Sequence, residues 1–373
     1  MAVKILFFIE NLTGGGAERV LCNLVNAMDQ SRFDITVQTL WKADASRHLN
    51  PGIRYQYCFA SKTKGSQIQS RIEAAMGLTY PLHIKDDYDI EAAYLEFGST
   101  KILSRSTNRR AKKIAWVHSD LARKLNGQEE LLRKTARQYA AYDKIVCVSQ
   151  TARDSFVSLF GRRQDTVVLY NTLDDADIRS RAELVPSDFP KKRRLTVVAA
   201  GRLAEEKQYD MLLRIHKRLW EEGLEHDLWI VGEGGERGTL EAYMTENQLG
   251  DSAKLLGFQA NPYPYMKAAD LLVCSSRYEG MSTFVAEGLI LGKPIVTTEC
   301  SGMRELLGDS ECGLITENSE ASLAAGLRRL LTDSDLRERY AAKAGKRGQD
   351  FSARRQAGRT EEFFLNMLED GTR

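Results

Sequence analysis

Arg277-Tyr278-Glu279-Gly280-Met281-Ser282-Thr283-Phe284-Val285-Ala286-Glu287-Gly288 follows the apolar run Leu271 to Cys274 and leads into a second apolar series, Val285, Ala286, Leu289, Ile290 and Leu291. The first run reads as a buried strand and the second as a helix, so a strand-to-helix corner lies between them. Two carboxylates, Glu279 and Glu287, bracket that corner. The first N–H groups of a helix have no partner within it and carry the positive end of its dipole, so an anion can settle there. Ser282 at the N-cap would leave the amides of Thr283 and Phe284 to a phosphate oxygen. Glu287, about one turn further in, could accept hydrogen bonds from a ribose diol. Glu279 cannot attract a phosphate, so its partner would be a hydroxyl or a cation beside one. The alternative is a capped helix with two solvated glutamates, since pairs of Glu at this spacing are common in charged chains.

The same strand-to-helix alternation runs through the chain on both sides of the corner. Strands are expected at Ile5 to Ile9, Phe33 to Trp41, Asp89 to Leu95, Lys112 to Val117, Lys144 to Val148 and Thr166 to Tyr170, with helices such as Ala17 to Met28 and Glu129 to Tyr142. Between about Asn171 and Arg194 the pattern lapses into Asp174-Asp175, two prolines and the run Lys191-Lys192-Arg193-Arg194. It restarts with strands at Leu195 to Ala200, Leu228 to Val231, Leu255-Leu256, Leu271 to Cys274, Pro294 to Thr298 and Gly313 to Ile315, and the tail from Ala321 to Leu368 reads as helical. Alternation of this kind calls for parallel sheets covered on both faces. The fold class is therefore α/β, with two Rossmann-like domains: residues 1–172, a linker 173–194, residues 195–350, and a terminal helix at 351–373 that could cross back to the first domain.

A chain of 373 residues exceeds what one core usually supports, which agrees with two domains. With 43% hydrophobic and 28% charged residues it is neither disordered nor fibrous. No run approaches the ~18 apolar residues of a membrane span, and Ile5 to Ile9 meets Glu10 at once, so it reads as a strand rather than a signal core. A cytoplasmic location is the expectation. The six cysteines are scattered, with no C-x-x-C and no histidine at metal-ligand spacing, so neither a disulfide framework nor a zinc site is indicated. Residues 1–172 hold 25 Lys and Arg against 17 Asp and Glu, whereas the remainder holds 28 against 34. A basic first half suits an anionic partner.

In open parallel sheets ligands bind beyond the carboxyl ends of the strands. The residues there are Gly14-Gly15-Gly16, His118, Gly201-Arg202, Gly232-Glu233-Gly234-Gly235 and Glu279, five strand ends that could face one cleft. Neither glycine cluster supplies G-x-G-x-x-G, and there is no G-x-x-x-x-G-K-[ST], so hydride transfer and ATP hydrolysis lose their main support. Arg202 and Lys207, five positions apart, could both reach one diphosphate, or could be two solvated cations. His118 closes an apolar strand, where a histidine is structural more often than chemical. Asp87-Tyr88-Asp89 and Asp175-Ala176-Asp177 carry the D-x-D spacing of metal–diphosphate sites but stand before a strand and in the linker, and no metal is expected. No nucleic-acid-binding motif is present.

Taken together and in order, Gly15-Gly16-Ala17-Glu18-Arg19, Gly201-Arg202-Leu203 with Glu206-Lys207, Val231-Gly232-Glu233-Gly234, Leu256-Gly257-Phe258, Ala268-Ala269-Asp270 and Glu279-x7-Glu287 resemble a retaining glycosyltransferase of family 4 with the GT-B fold. The resemblance covers nearly the whole chain and is densest from 195 to 316. It implies a nucleotide-sugar donor in the second domain and an acceptor in the first. Glu287 would grip the ribose; Arg202, Lys207 and the amides around Ser282, Thr283 and Phe284 would hold the diphosphate. Glu279 would touch the transferred sugar or the adjacent phosphate, Gly15, Gly16 and Gly232 would line the donor, Phe258 would fall in the base-binding loop, and His118 would lie near the anomeric carbon. The family reads Glu-Lys-Gly where this chain has Glu206-Lys207-Gln208, so the local backbone is expected to differ.

The expected chemistry is front-face displacement. Negative charge growing on the departing diphosphate would be met by Arg202, Lys207 and helix amides, with no metal and no cofactor. No residue stands out as a covalent nucleophile. A UDP-sugar is the expected donor, with GDP-mannose second, and the acceptor a glycan or polyprenyl-diphosphate-linked glycan of surface polysaccharide biosynthesis. The basic stretch Arg105, Arg109, Arg110, Lys112, Lys113, with Arg123, Lys124, Arg133 and Lys134, would suit an anionic membrane surface, at the inner face of the plasma membrane, or simply a solvated helix face. A UDP-sugar 2-epimerase on the same fold and a non-catalytic sugar-nucleotide-binding subunit are the rival readings.

Overall fold

The computed structural model describes residues 2–12, 16–44, 48–279 and 281–369. The chain divides into two units, residues 1–173 with 353–373, and residues 174–352. Each is a parallel sheet flanked by helices.

In the first unit the strands are β1 Val3–Ile9, β2 Phe33–Trp41, β3 Arg54–Phe59, β4 Ile90–Ala93, β5 Lys112–Val117, β6 Lys144–Cys147 and β7 Thr166–Val168. The helices are α1 Gly16–Ala27, α2 Lys64–Met76, α3 Thr79–His83, α4 Gly98–Leu103, α5 Leu121–Lys124, α6 Glu129–Tyr139 and α7 Gln150–Phe160. The sheet order is β3-β2-β1-β4-β5-β6-β7. Ile5 pairs with both Ile35 and Ile90, which makes β1 a central strand and explains its unbroken apolar run.

The second unit contains α8 Asp175–Ala182, α9 Tyr209–Glu221, α10 Arg237–Glu246, α11 Tyr263–Ala268, α12 Thr283–Ile290, α13 Met303–Leu307, α14 Glu320–Thr332 and α15 Ser334–Gly348. Its strands are β8 Leu195–Ala200, β9 His226–Val231, β10 Ala253–Leu255, β11 Leu271–Cys274, β12 Ile295–Thr298 and β13 Leu314–Thr316, in the order β10-β9-β8-β11-β12-β13. Gly288 lets α12 lie close on the sheet, because a methyl there would meet Leu272 Cδ1 at 2.5 Å and Ile295 Cδ1 at 3.2 Å.

The final helix, α16 Ala353–Glu369, belongs to the first unit. Phe364 is fully buried there, with its ring centroid 6.1 Å from that of Phe7 and 6.3 Å from that of Trp116.

Three elements differ from expectation. The stretch read as a linker carries α8, whose first turn is capped by Asp174 and which packs on α11 and α12, so residues 174–194 are part of the second unit. Arg54–Phe59 is an edge strand that buries only Phe59 fully, so no apolar run betrays it. α2 exposes most of its apolar residues, which hides its amphipathic period. Among the described residues no helix is long and apolar enough to cross a membrane.

Candidate active site

In the second sheet β8 and β11 are neighbours, and the chain winds outward from them in opposite directions. That reversal opens a crevice beyond the carboxyl ends of these two strands. The loop leaving β8 and the corner leaving β11 meet there.

Glycines allow the loops to come together. Gly201 N donates to Val231 O at 2.9 Å, Leu203 N to Glu233 O at 2.9 Å and Gly232 N to Gly257 O at 2.8 Å. A methyl on Gly232, whose φ is +149°, would run into the Gly201 carbonyl. Gly232 therefore spends its N–H on the neighbouring loop rather than offering it to a phosphate. Its part is close backbone approach.

Beyond Gly201 a single turn of 3-10 helix, Glu205–Lys207, presents Lys207. Lys207 Nζ donates to Glu279 Oε1 at 2.5 Å, and the same carboxylate oxygen accepts from Ser276 Oγ at 2.7 Å. Ser275 Oγ donates to Lys207 O at 2.6 Å, and Arg277 N to Glu206 O at 2.7 Å. Burial alone would favour the neutral amine, but the Glu279 carboxylate outweighs it and the Lys207 pKa is raised above its usual value. The ammonium is thus charged and pinned at the mouth of α12.

α12 starts as its sequence suggests. Ser282 is the N-cap, with extended backbone and its Oγ accepting from Val285 N at 3.4 Å. That leaves the Thr283 and Phe284 amides without a partner within the helix, and Ser282 and Phe284 line the same small cavity as Lys207, Glu279 and Ser276. On α12, Glu287 Oε1 accepts from the hydroxyl of the buried Tyr263 at 3.1 Å, which holds the carboxylate expected to meet a ribose.

Lys207, Glu279, Ser282 and Phe284 therefore line one cavity, and Thr283 and Glu287 stand on the helix that starts there. Arg202 stands apart from the pair: its side chain is 75% exposed and bonds Glu206 Oε1 at 3.2 Å. Phe258 is also 75% exposed, beside Gly257 at φ +71°. Gln208, where glycine was the family expectation, adopts the left-handed region at φ +51° and ψ +41°.

In the first unit His118 follows β5. Its backbone N–H donates to the buried Glu96 Oε1 at 2.7 Å, Ser119 Oγ donates to the same atom at 2.7 Å, and its ring lies 4.9 Å from that of Tyr94. Burial lowers its pKa, against the raising influence of Glu96, and its Nε2 is buried with no hydrogen-bond partner among the described residues. Gly16 opens α1, whereas Gly15 lies outside the described residues. The second aspartate of each D-x-D triplet has a partner in the fold: Asp89 accepts from Lys4 N at 2.8 Å, and Asp177 pairs with Arg181 at 3.3 Å.

Ser275, Ser276 and Tyr263 join the site without a counterpart in the sequence reading. The serine pair ends an apolar strand, a signal that could have marked it. Tyr263 lies 24 positions from Glu287, and only the fold joins them.

The sequence matches the family described as glycosyl transferases group 1 over residues 180–347 and that described as glycosyltransferase family 4 over residues 14–177. It is 36% identical over 186 residues to an N-acetylgalactosamine-N,N'-diacetylbacillosaminyl-diphospho-undecaprenol 4-alpha-N-acetylgalactosaminyltransferase of Campylobacter jejuni, covering 49% of each chain. It is 29% identical over 207 residues to the lipopolysaccharide core biosynthesis glycosyltransferase LpsD of Rhizobium meliloti, covering 55% of this chain and 58% of that one. The chain spans about half the length of these curated relatives. In fold it is similar to Anabaena Alr3699/HepE, crystallised with UDP, at a TM-score of 0.76 and 20% identity over 98% of this chain and 100% of that one. The two Rossmann-like sheets are those of the GT-B class.

Proposed function

The chain belongs to the glycosyltransferases of group 1 and family 4, and from that membership we propose that it moves a sugar from a nucleotide diphosphate sugar to a glycan or lipid-linked glycan in surface polysaccharide biosynthesis. The observation that carries the reading is the Lys207–Glu279–Ser276 cluster set against the start of α12. A carboxylate alone would repel a diphosphate. With Lys207 held on it, the cluster offers a charged ammonium beside two helix amides.

UDP-sugar is the proposed donor, and GDP-mannose the second. Its diphosphate lies on Lys207 and the amides of Thr283 and Phe284, its ribose on Glu287, and its base against Phe258. Arg202, exposed in the structure, folds onto the diphosphate once donor is bound. As the glycosidic bond breaks, negative charge grows on the leaving phosphate and these groups stabilise it without a metal. The acceptor hydroxyl attacks from the face of departure, and its proton passes to the leaving phosphate oxygen. Glu279 orients Lys207 and reaches the transferred sugar. The first unit takes the acceptor and offers His118 Nε2 as a hydrogen-bonding atom. An anionic membrane surface, at the inner face of the plasma membrane, is the remaining partner.

The test is release of UDP from a panel of UDP-sugars with and without lipid-linked acceptor. Release that needs acceptor and yields a product of retained anomeric configuration supports the reading. Release of UDP with epimerised free sugar and no acceptor would refute it.

A further inference from the structure

In the first sheet β1 and β4 are neighbours, and the chain winds outward from them in opposite directions. This reversal opens a crevice beyond their carboxyl ends, the place where open parallel sheets take ligands. Glu10, the residue after β1, is fixed there by its carbonyl, which accepts from Leu40 N at 3.2 Å and Trp41 N at 3.4 Å. Its side chain reaches across to the loop after β4 and comes so close to Gly98 that a methyl on that glycine would overlap Glu10 Oε1. Burial raises the Glu10 pKa, opposed by Lys62, and the carboxylate has no hydrogen bond or ion pair among the described residues. A carboxylate in that position has lost water without gaining a donor.

The same strand ends carry other groups that await a partner. Phe97 stands at φ +67° and ψ −91°, a region that bulky side chains rarely adopt. It is held by its carbonyl, which accepts from Lys101 N at 2.8 Å and Thr100 Oγ1 at 3.0 Å, and by Lys124 Nζ, 5.5 Å from its ring centroid. Strain of this kind persists only where the surroundings impose it, and it gathers at binding sites. Ser99 Oγ, next in the chain to Gly98, and His118 Nε2, at the end of the adjacent β5, are buried without a hydrogen-bond partner among the described residues. A carboxylate, a hydroxyl and an imidazole nitrogen left unpaired suit the hydroxyl-rich ring of a sugar. They do not suit an apolar ligand, and the carboxylate repels an anionic one.

We infer that Glu10 is a specificity-determining residue of the acceptor site: its carboxylate accepts hydrogen bonds from the hydroxyl or acetamido N–H groups of a neutral sugar and excludes a sugar that carries a carboxylate of its own. This rests on the reading above, in which the first unit takes the acceptor. It narrows that acceptor to a glycan whose receiving end is a neutral hexose or N-acetylhexosamine.

Saturation-transfer NMR on the full chain tests it, with the p-nitrophenyl glycosides of glucose, galactose, N-acetylglucosamine and N-acetylgalactosamine set against p-nitrophenyl glucuronide. The wild type is expected to bind at least one neutral glycoside and not the glucuronide. Glu10→Gln weakens the neutral glycoside by about tenfold, the loss of one charge-assisted hydrogen bond, and admits the glucuronide. Gly98→Ala, whose methyl displaces the carboxylate without removing it, weakens the neutral glycoside at unchanged Tm. Failure of the wild type to bind any neutral glycoside, or a preference for neutral over acidic glycosides that Glu10→Gln leaves as it was, overturns the inference. UDP titration into the same proteins separates it from the donor reading. UDP affinity should be equal in all three, and its loss in Glu10→Gln would place Glu10 with the donor and overturn the inference as well. A wild type that holds neutral glycosides through Glu10 but binds no UDP refutes only the donor site.

Discussion

Lys207 Nζ lies 2.5 Å from Glu279 Oε1, joining the loop after β8 to the corner after β11 across 72 positions of sequence. The contact converts a carboxylate that would repel phosphate into the anchor of a cation that attracts it. Removing either partner should therefore be felt both in folding and in turnover.

Lys207→Met takes away the ammonium and leaves a largely buried carboxylate with one partner fewer. kcat/KM is expected to fall by about 10²–10³, and the unfolding free energy by about 1–3 kcal/mol. Steady-state kinetics and urea denaturation read the two separately. Unchanged kinetics would remove Lys207 from the site.

The pair also has a pH signature. The Lys207 pKa is raised in the fold, so the stabilisation is complete below the unfolded value of about 10.4 and disappears as pH rises through the higher folded value. The stability difference between wild type and Lys207→Met should be flat through neutral pH and shrink only in the alkaline range. Urea midpoints measured across that range test this, and a difference already shrinking near neutrality would contradict it.

Acid sensitivity has a different origin. His226 Nδ1 donates to Leu224 O at 2.7 Å, which leaves its Nε2 to accept from His216 Nδ1 at 2.8 Å, and His216 Nε2 then accepts from Ser252 Oγ at 2.9 Å. Both rings are neutral in this relay, and burial followed by His226 pushes the His216 pKa down to about 3. A depressed histidine pKa gives stability that is complete above about 6.5 and is lost as pH falls toward 3. Unfolding free energy should drop by up to about 1.4 kcal/mol per pH unit below 6.5 for each such histidine, and His216→Gln should remove much of that slope. A wild-type urea midpoint constant between about pH 6.5 and 5 would rule this out.

Gln208 occupies the left-handed region at the start of α9. Side chains other than glycine are strained there. Gln208→Gly should raise stability by about 0.5–1 kcal/mol, a rise in Tm of about 1–4 °C, with turnover retained. A lower Tm would show that the glutamine side chain contributes more than the strain costs.

Much of this is legible in the chain itself, for physical reasons that also mark where reading stops. Strands buried on both faces, such as Ile5 to Ile9 and Leu271 to Cys274, announce themselves as apolar runs. The strand-to-helix corner, its Ser282 cap and both glutamates follow from local pattern. β3 escapes such reading because an edge strand buries little, α8 because its charged sequence looks like a tether, and α2 because its polar side faces inward. The partners of the site, Lys207 with Glu279 and Tyr263 with Glu287, are set by strand order, which local pattern does not encode. Spacing groups Arg202 with Lys207, yet Arg202 points into solvent.

Phe258 leaves most of its surface in solvent. Phe258→Ala should leave Tm unchanged and weaken UDP binding by about 1–2 kcal/mol, the worth of one base stacked on an aromatic ring. Equal affinity in both proteins would place the base elsewhere.

Calorimetric titration of UDP into the wild type and into Lys207→Met, each in EDTA and again with Mg²⁺, tests the central claim most directly. Binding should be the same with and without the metal and at least about tenfold weaker in the variant, the loss of one charge-assisted contact. Binding that appears only with Mg²⁺, or equal affinity in the two proteins, would contradict a pyrophosphate cradle built from Lys207 and the start of α12.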